Sequence, residues 1–410
     1  MLAGVTDHLH PWPADPDLTR LGLARLESTR RSMVDQGVDA LVLVHGPHVN
    51  YATGHLPRPV DITHALFHRP LAIITAERVV LHVDRPRGGS IPREVEVRPP
   101  LWSELDEGAA PVAAAIRDVL GDHGGTRVAV DELTGPMRRG GVLAGADLVD
   151  ASRVIGPAKL VKTPDELACI TIAQRRNEEA MAAAFEATVP GARRSDVAGA
   201  FLARLAESGW GENHIDPIFE AMPRTRVGGA RTSTGHVAFP TGVGDPILDE
   251  GDLVWVDSGI GYEGYMSDFG RTWVVGRDPD AGERALFDRW RAVMEAALGA
   301  LAPDASLGDV ARAAQAADET GVGDRPWLPH FYLGHGLGVE SAEMPLIGTD
   351  LGTEFDDGFV LAPGMVVVLE PVTWRDGVGG YRAEEIIAVT DSGWQLLGGG
   401  HPYEGFEVAP

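Results

Sequence analysis

A chain of 410 residues is long enough for two or three domains, each with a full core. Hydrophobic residues make up 44% and charged residues 23%, and the 51 glycines and 29 prolines point to many turns rather than to disorder. The formal charge of −25 argues against nucleic-acid and anionic-membrane partners, because both require a basic face.

The single cysteine, Cys169, excludes an internal disulfide framework. It fits a reducing compartment, so a cytoplasmic location is expected. Cys169 lies in an apolar helical run and is expected to be buried and inert. The opening stretch MLAGVTDHLHPWPADPD lacks the basic and apolar segments of a signal peptide. No apolar run approaches the roughly 18 residues that span a membrane.

In chain order, residues 1–17 read as an irregular leader. Helical spacing of Leu21, Leu26 and Met33 predicts a helix over 18–36, stopped by Gly37. Residues 39–44 read as a buried strand and 45–54 as a loop. Strands are expected over 71–75 and 79–83, a helix over 109–120 and a strand over 128–130. This alternation describes a mixed α/β domain over residues 1–157. His45, His48, His55, His64 and His68 show no metal-ligand spacing on one helix face and read as loop or surface histidines.

A second domain is expected over 158–410. Thr163-Pro164-Asp165-Glu166 is a capping box with proline at the first helical position, opening a helix to about Thr188. Ser195 is expected to cap a further helix through Glu207. Residues 209–244 read as a long loop carrying His236, and long loops inside compact domains are often functional. Helices are expected over 281–301 and 307–320. FYLGHGLG follows, with His335 between glycines, then a strand over 365–372 and its partner over 379–390.

Between these helices, GDLVWVDSGIGYEGYMSDFGRT carries Asp257 and Asp268. LVWVD is a strand run, Gly261-Tyr262-Glu263-Gly264 a tight turn and Met266–Val275 the return strand. A turn centred on Tyr262 and Glu263 sets the two aspartates directly opposite, with Cβ atoms about 5 Å apart. Such a pair repels unless protonated or bridged by cations. Taken alone, the stretch reads as a solvated acidic hairpin before it reads as half a metal site.

A faint internal repeat changes that. Leu248-Asp-Glu-Gly251 precedes Val254-Trp-Val-Asp257, and Leu361-Ala-Pro-Gly364 precedes Val367-Val-Leu-Glu370. Each Leu-x-x-Gly turn enters a strand ending in a carboxylate, and a second carboxylate follows, Asp268 or Glu384. A hairpin centred on Gly377 sets Glu370 across from Glu384. Duplicated half-domains with facing hairpins would converge four carboxylates, whose burial costs several kcal/mol per ion without cations. Hard oxygen ligands with one imidazole, His335, suit Mn, Fe, Co or Zn.

These residues resemble the pita-bread metallopeptidases: methionine aminopeptidase, aminopeptidase P and prolidase. The matching motifs are GDLVWVDSG, Tyr265-Met-Ser-Asp268-Phe-Gly-Arg-Thr272, Gly334-His335-Gly336-Leu337-Gly338, Leu369-Glu370-Pro371 and Tyr381-Arg382-Ala383-Glu384. Gln36-Gly-Val-Asp-Ala-Leu41 and Asn50-Tyr51-Ala-Thr-Gly54 are similar to the N-terminal domain of the creatinase and aminopeptidase P branch. The resemblance implies an α+β chain: a creatinase-like N-terminal α/β domain, then a pita-bread catalytic domain of pseudo-twofold duplicated halves. It implies two divalent metal ions, Mn first among Mn, Co, Zn and Fe. Asp257 would chelate one ion, Asp268 and Glu384 both, and His335 and Glu370 the other. A water bridging the metals would attack the substrate carbonyl, with Glu370 passing the proton to the leaving nitrogen. His236 matches a substrate-contacting histidine, and Arg382 would support Glu384 or bind a substrate carboxylate. The implied activity is a Xaa-Pro dipeptidase or aminopeptidase acting on small peptides, and similar proteins are commonly homodimers.

Two positions depart from the pattern. Ala342 stands where the family has a second histidine, which helps hold the substrate carbonyl, and Phe331 replaces a histidine of the aminopeptidase P branch. These departures carry the alternative, a small-amide hydrolase or lyase on the same fold.

Overall fold

The computed structural model describes residues 14–57, 69–122, 124–208, 218–225, 244–318, 331–349, 351, 353–399 and 405–410. The chain divides into two compact units, Asp15–Glu166 and Leu167–Pro410.

The first unit is built on a six-stranded sheet. Its strands are β1 (Ala40–Leu43), β2 (Leu71–Thr75), β3 (Val79–His82), β4 (Val95–Arg98), β5 (Arg127–Val130) and β6 (Asp147–Asp150), in the order β4-β3-β2-β1-β5-β6. The pairs β1–β2 and β2–β3 are antiparallel, the other three parallel. The helices are α1 (Leu18–Asp35), α2 (Gly46–Thr53), α3 (Ala109–Leu120), α4 (Gly135–Arg139) and α5 (Ser152–Leu160). Side chains alternate across a strand, so β1 feeds two cores. Leu41 and Leu43 pack with Leu26, Met33, Val154 and Ile155 of α1 and α5. Ala40 and Val42 pack with Val112, Ile116 and Met137 of α3 and α4. A continuous apolar run thus becomes a strand buried on both faces.

Two sequence expectations change here. Residues 46–53 form a helix rather than a loop: proline sits in its first turn, Gly54 closes it with φ of 76°, and Val49, Tyr51 and Ala52 are buried. His55 is 5% exposed, so it is a core histidine rather than a surface one. The Arg87 amide donates to its Nδ1 at 3.2 Å, which requires a neutral ring. Burial first, then the Arg87 charge, pushes His55 down to about 4. The unfolded chain therefore takes up this proton near pH 6.5 and the folded chain does not. Stability from this group is complete above pH 6.5 and falls as the pH drops toward 4, by about 3 kcal/mol. In chelated protein, His55→Gln should lose that much less stability over this interval. Parallel pH profiles for the two proteins would remove His55 as the cause.

The second unit holds α6 (Pro164–Ala187, whose first turn belongs to the preceding unit), α7 (Arg194–Glu207), β7 (Ile218–Ala221), β8 (Leu253–Ser258), β9 (Gly261–Tyr262), β10 (Tyr265–Met266) and β11 (Phe269–Val275). After these come α8 (Ala281–Ala300), α9 (Leu307–Ala317), β12 (Phe331–Gly336), β13 (Glu343–Thr349), β14 (Val366–Leu369), β15 (Val372–Arg375), β16 (Gly379–Arg382), β17 (Glu385–Thr390), β18 (Gly393–Leu396) and β19 (Glu407–Ala409). The main sheets run β19-β11-β8-β7 and β13-β12-β14-β17-β18. The capping box at the start of α6 forms: Thr163 N donates to Glu166 Oε2 at 2.7 Å. The next helix is capped by Arg193 rather than Ser195, whose amide and hydroxyl instead bond Asp245.

The duplication is explicit in the backbone. Each half contributes two helices, then a hairpin, β8/β11 or β14/β17. The residue capping the second helix bridges the chain four residues before the glycine: Arg193 to Ile247, and Ser306 to Val360. Gly251 and Gly364 have φ of 88° and 90° and donate to Val275 O and Val389 O at 2.7 and 2.9 Å. The repeated Leu-x-x-Gly is therefore one turn used twice, and it delivers two hairpins of the same design.

Candidate metal centre

The first hairpin is one step out of the expected register. Tyr262 pairs with Tyr265, and Gly270 rather than Asp268 pairs with Asp257. The turn is centred on Glu263-Gly264, whose φ values of 48° and 83° are those of a type I′ turn. Moving the turn centre by one residue moves the partner by two, so Asp268 stays on the Asp257 face. The ladder breaks at Ser267 and Asp268, between β10 and β11. Asn177 of α6 holds this break. Its Nδ2 donates to Ser258 O at 2.8 Å and Ser267 Oγ at 3.1 Å, and Ser258 Oγ donates to its Oδ1 at 2.7 Å. Both aspartates are thereby pinned through their chain neighbours.

The second hairpin keeps the expected register. Leu369 pairs with Glu385 and Val372 with Arg382, so Glu370 faces Glu384 where the ladder opens. The expected strands over 365–372 and 379–390 are each divided there, because Pro371 has no amide to donate. The two hairpins meet back to back: Glu384 N donates to Gly270 O at 3.1 Å, and Thr272 Oγ1 donates to Arg382 O at 2.7 Å. A Cβ on Gly270 would lie 2.7 Å from the Glu384 carboxylate, so the glycine is what admits that side chain.

His335 is presented by β12, squeezed between β13 and β14. A Cβ at Gly334 or Gly336 would fall 1.9 Å from Val368 O or 2.3 Å from Met344 O, so both flanking positions must be glycine. His335 Nδ1 lies 2.9 Å from Gly336 O, an acceptor, which makes Nδ1 the protonated nitrogen. Nε2 then faces Asp268 Oδ2 at 3.5 Å and Glu370 Oε1 at 3.4 Å. A cation between Nε2 and the two carboxylates would satisfy all three.

Asp257, Asp268 and Glu384 bring carboxylate oxygens within 4.8 Å of one another. Arg382 joins the set: it donates to Asp257 at 2.9 Å, to Glu384 at 3.1 Å and to Glu370 Oε2, with its guanidinium 4.9 Å above the Trp255 ring. Among the described residues, four carboxylates against one guanidinium leave three negative charges uncompensated when all are ionised. Asp268, His335, Glu370, Arg382 and Glu384 are each at most 7% exposed. Burial, then the charges of Glu384, Asp257 and Glu370, holds Asp268 well above the usual carboxylate range. Burial outweighs Arg382 at Asp257, which is raised, and at Glu384, which is pushed up to about 8. Glu384 Oε1 is buried with no hydrogen-bond partner. An orphaned carboxylate oxygen, a histidine lone pair and excess negative charge in one buried place fit divalent cations with oxygen and imidazole ligands.

Asp257, Asp268, His335, Glu370, Glu384 and Arg382 thus come together. His236 lies outside the described residues. Ala342 is exposed in the bend just before β13 and offers only a methyl group. Asn177, Thr272 and Gly270 were missed by sequence reasoning. Asn177 carries no sequence signal, since its partners are about 80 to 90 residues away. Gly270 and Thr272 stood in a quoted motif, but their roles need the facing hairpin.

A sequence model of metallopeptidase family M24 matches residues 168–391, over half the chain, and one of the creatinase/prolidase N-terminal domain matches residues 25–158. A Xaa-Pro dipeptidase of Pyrococcus furiosus is 32% identical over 250 residues, which are 60% of this chain and 64% of that protein. An uncharacterized peptidase of Bacillus subtilis is 25% identical over 378 residues, covering 90% of this chain and 96% of its own. The crystal structure of dipeptidase PepE from Mycobacterium ulcerans shares the fold, with a TM-score of 0.73 over 97% of this chain and 100% of that one at 22% identity. The chain belongs to metallopeptidase family M24, with the pita-bread fold behind a creatinase-type N-terminal domain.

Proposed function

We propose that the chain is a metal-dependent peptidase cleaving the amide bond next to proline, as a Xaa-Pro dipeptidase or aminopeptidase. The reading rests on one observation: four carboxylates and a histidine nitrogen converge in a buried place where, among the described residues, the Arg382 guanidinium balances them. Asp257, Asp268, His335, Glu370 and Glu384 would hold two divalent ions, with manganese favoured. Bound there, the ions supply Lewis acidity, polarising the scissile carbonyl and acidifying water. Glu370 takes up a proton and returns it to the leaving nitrogen, its second oxygen steadied by Arg382. Arg382 is a positioning residue in this account, because its donors already face three carboxylates. His236 would contact substrate. The working form is a cytoplasmic homodimer, which sedimentation would test.

The second reading, a small-amide hydrolase or lyase, rests on Ala342. Losing an oxyanion donor typically costs about 10²–10³ in rate. A panel of Xaa-Pro dipeptides, longer Xaa-Pro peptides, creatine and ectoine-like amides, each with Mn, Co, Zn or Fe, separates the two. No turnover of any proline peptide would end the first reading.

Gly270→Ala tests the ligand set. The added methyl should displace the Glu384 carboxylate and weaken metal binding by about tenfold or more, while chelated protein remains folded. Unchanged metal affinity would remove Glu384 from the set.

A further inference from the structure

Behind the carboxylates, on the opposite face of β11, lies a second charged group. Arg271 is 4% exposed, and the carboxylates of Glu178, Glu385 and Glu407 surround it electrostatically. A buried guanidinium beside carboxylates ordinarily forms a bidentate pair with one of them. Among the described residues Arg271 forms none, and its side-chain hydrogen bonds go to backbone carbonyls, from NH1 to Gly270 O at 2.8 Å and to Glu384 O at 2.6 Å. Gly270 O also accepts from Glu384 N at 3.1 Å. One guanidinium nitrogen therefore closes the joint between the two half-domains at the residue carrying the Glu384 carboxylate. The remaining contact, with the guanidinium 4.6 Å over the Phe269 ring, orients its plane.

We propose that Arg271 is a positioning residue for the metal centre, fixing the Glu384 carboxylate by clamping the Gly270–Glu384 backbone joint. The surrounding acids retain the guanidinium, and the length and planarity of the side chain place NH1 between the two carbonyls. A point charge in its place satisfies the acids and leaves the joint loose. This inference rests on the proposed metal site.

The test separates charge from geometry. Mn²⁺ is titrated calorimetrically into chelator-treated, dialysed full-length protein, and the melting of the chelated form is followed in parallel. Arg271→Lys keeps the charge on a side chain one bond shorter, which draws the donor away from Gly270 O and Glu384 O. Its Mn²⁺ affinity should fall about 10–100-fold, with chelated melting close to wild type. Glu407→Gln removes one surrounding charge and keeps the NH1 bonds to both carbonyls, so its affinity should stay within about twofold of wild type. An Arg271→Lys affinity equal to wild type overturns the inference. So does a Glu407→Gln affinity as weak as that expected for the lysine variant, which carries the test if Arg271→Lys fails to fold. A merely structural arginine would lower the melting of the chelated form without moving Mn²⁺ affinity. Wild-type protein that binds none of Mn²⁺, Co²⁺, Zn²⁺ and Fe²⁺ refutes the metal site itself, a result distinct from either variant outcome.

Discussion

Asp268→Asn is expected to abolish metal binding and to lower peptidase activity by about 10³-fold or more, the several kcal/mol that a catalytic metal contributes. Asparagine keeps the volume and removes the charge, so the fold should survive. Asp268 is also the carboxylate most crowded by its neighbours, next to Glu384, Asp257 and Glu370. In chelated protein the sign of its effect on stability therefore reverses. A carboxyl whose folded value is raised binds its proton more tightly folded than unfolded, so stability is lost as the pH rises. For Glu384 the window runs from 4.5, its ordinary value, to about 8. Chelated wild type should melt progressively lower across this window, and chelated Asp268→Asn should decline less. Metal should restore wild type most at the alkaline end and the variant hardly at all. Unchanged metal content in Asp268→Asn would remove this residue from the centre.

Arg382→Met carries the second large effect. Arg382 is the guanidinium among the four carboxylates and is 4% exposed. Removing one partner of a buried charge network typically costs about 3–5 kcal/mol, because the remaining charges are left unpaired. In chelated protein the whole loss should appear as a lowered melting temperature. Metal ions supply positive charge to the same carboxylates, so the gap between chelated and loaded protein should widen relative to wild type. The loaded variant should retain metal but lose activity, since Glu370 is no longer steadied. An unchanged gap would mean that Arg382 does not share the carboxylates with the metal ions.

What was legible in the sequence was the repeated turn and the carboxylates after it. Leu248–Gly251 and Leu361–Gly364 specify the same backbone hydrogen bonds, and turn chemistry is local. The Glu370–Glu384 register followed from a turn centred on Gly377. The Asp257–Asp268 register did not, because a non-glycine residue, Glu263, adopts a positive φ and advances the turn. The error moved Asp268 by two positions and left it on the correct face, so the site remained readable. The helix over 46–53 was not readable as such, since its eight residues fall below the length at which periodicity distinguishes a helix. The supports of the site were also out of reach. Asn177 lies 81 residues from Ser258, and Arg271 lies 113 residues from Glu384. The first contact exists only once α6 has packed against its own hairpin, the second only once the two half-domains have closed on each other.

The two metal ions proposed for this buried group of carboxylates can be counted. Equilibrium dialysis of the full-length chain against Mn²⁺, followed by metal analysis, measures this directly. Two ions per chain are expected, released by chelator and restored with activity on re-addition. A chain that binds no Mn²⁺, Co²⁺, Zn²⁺ or Fe²⁺ above the level of Asp268→Asn would contradict that expectation.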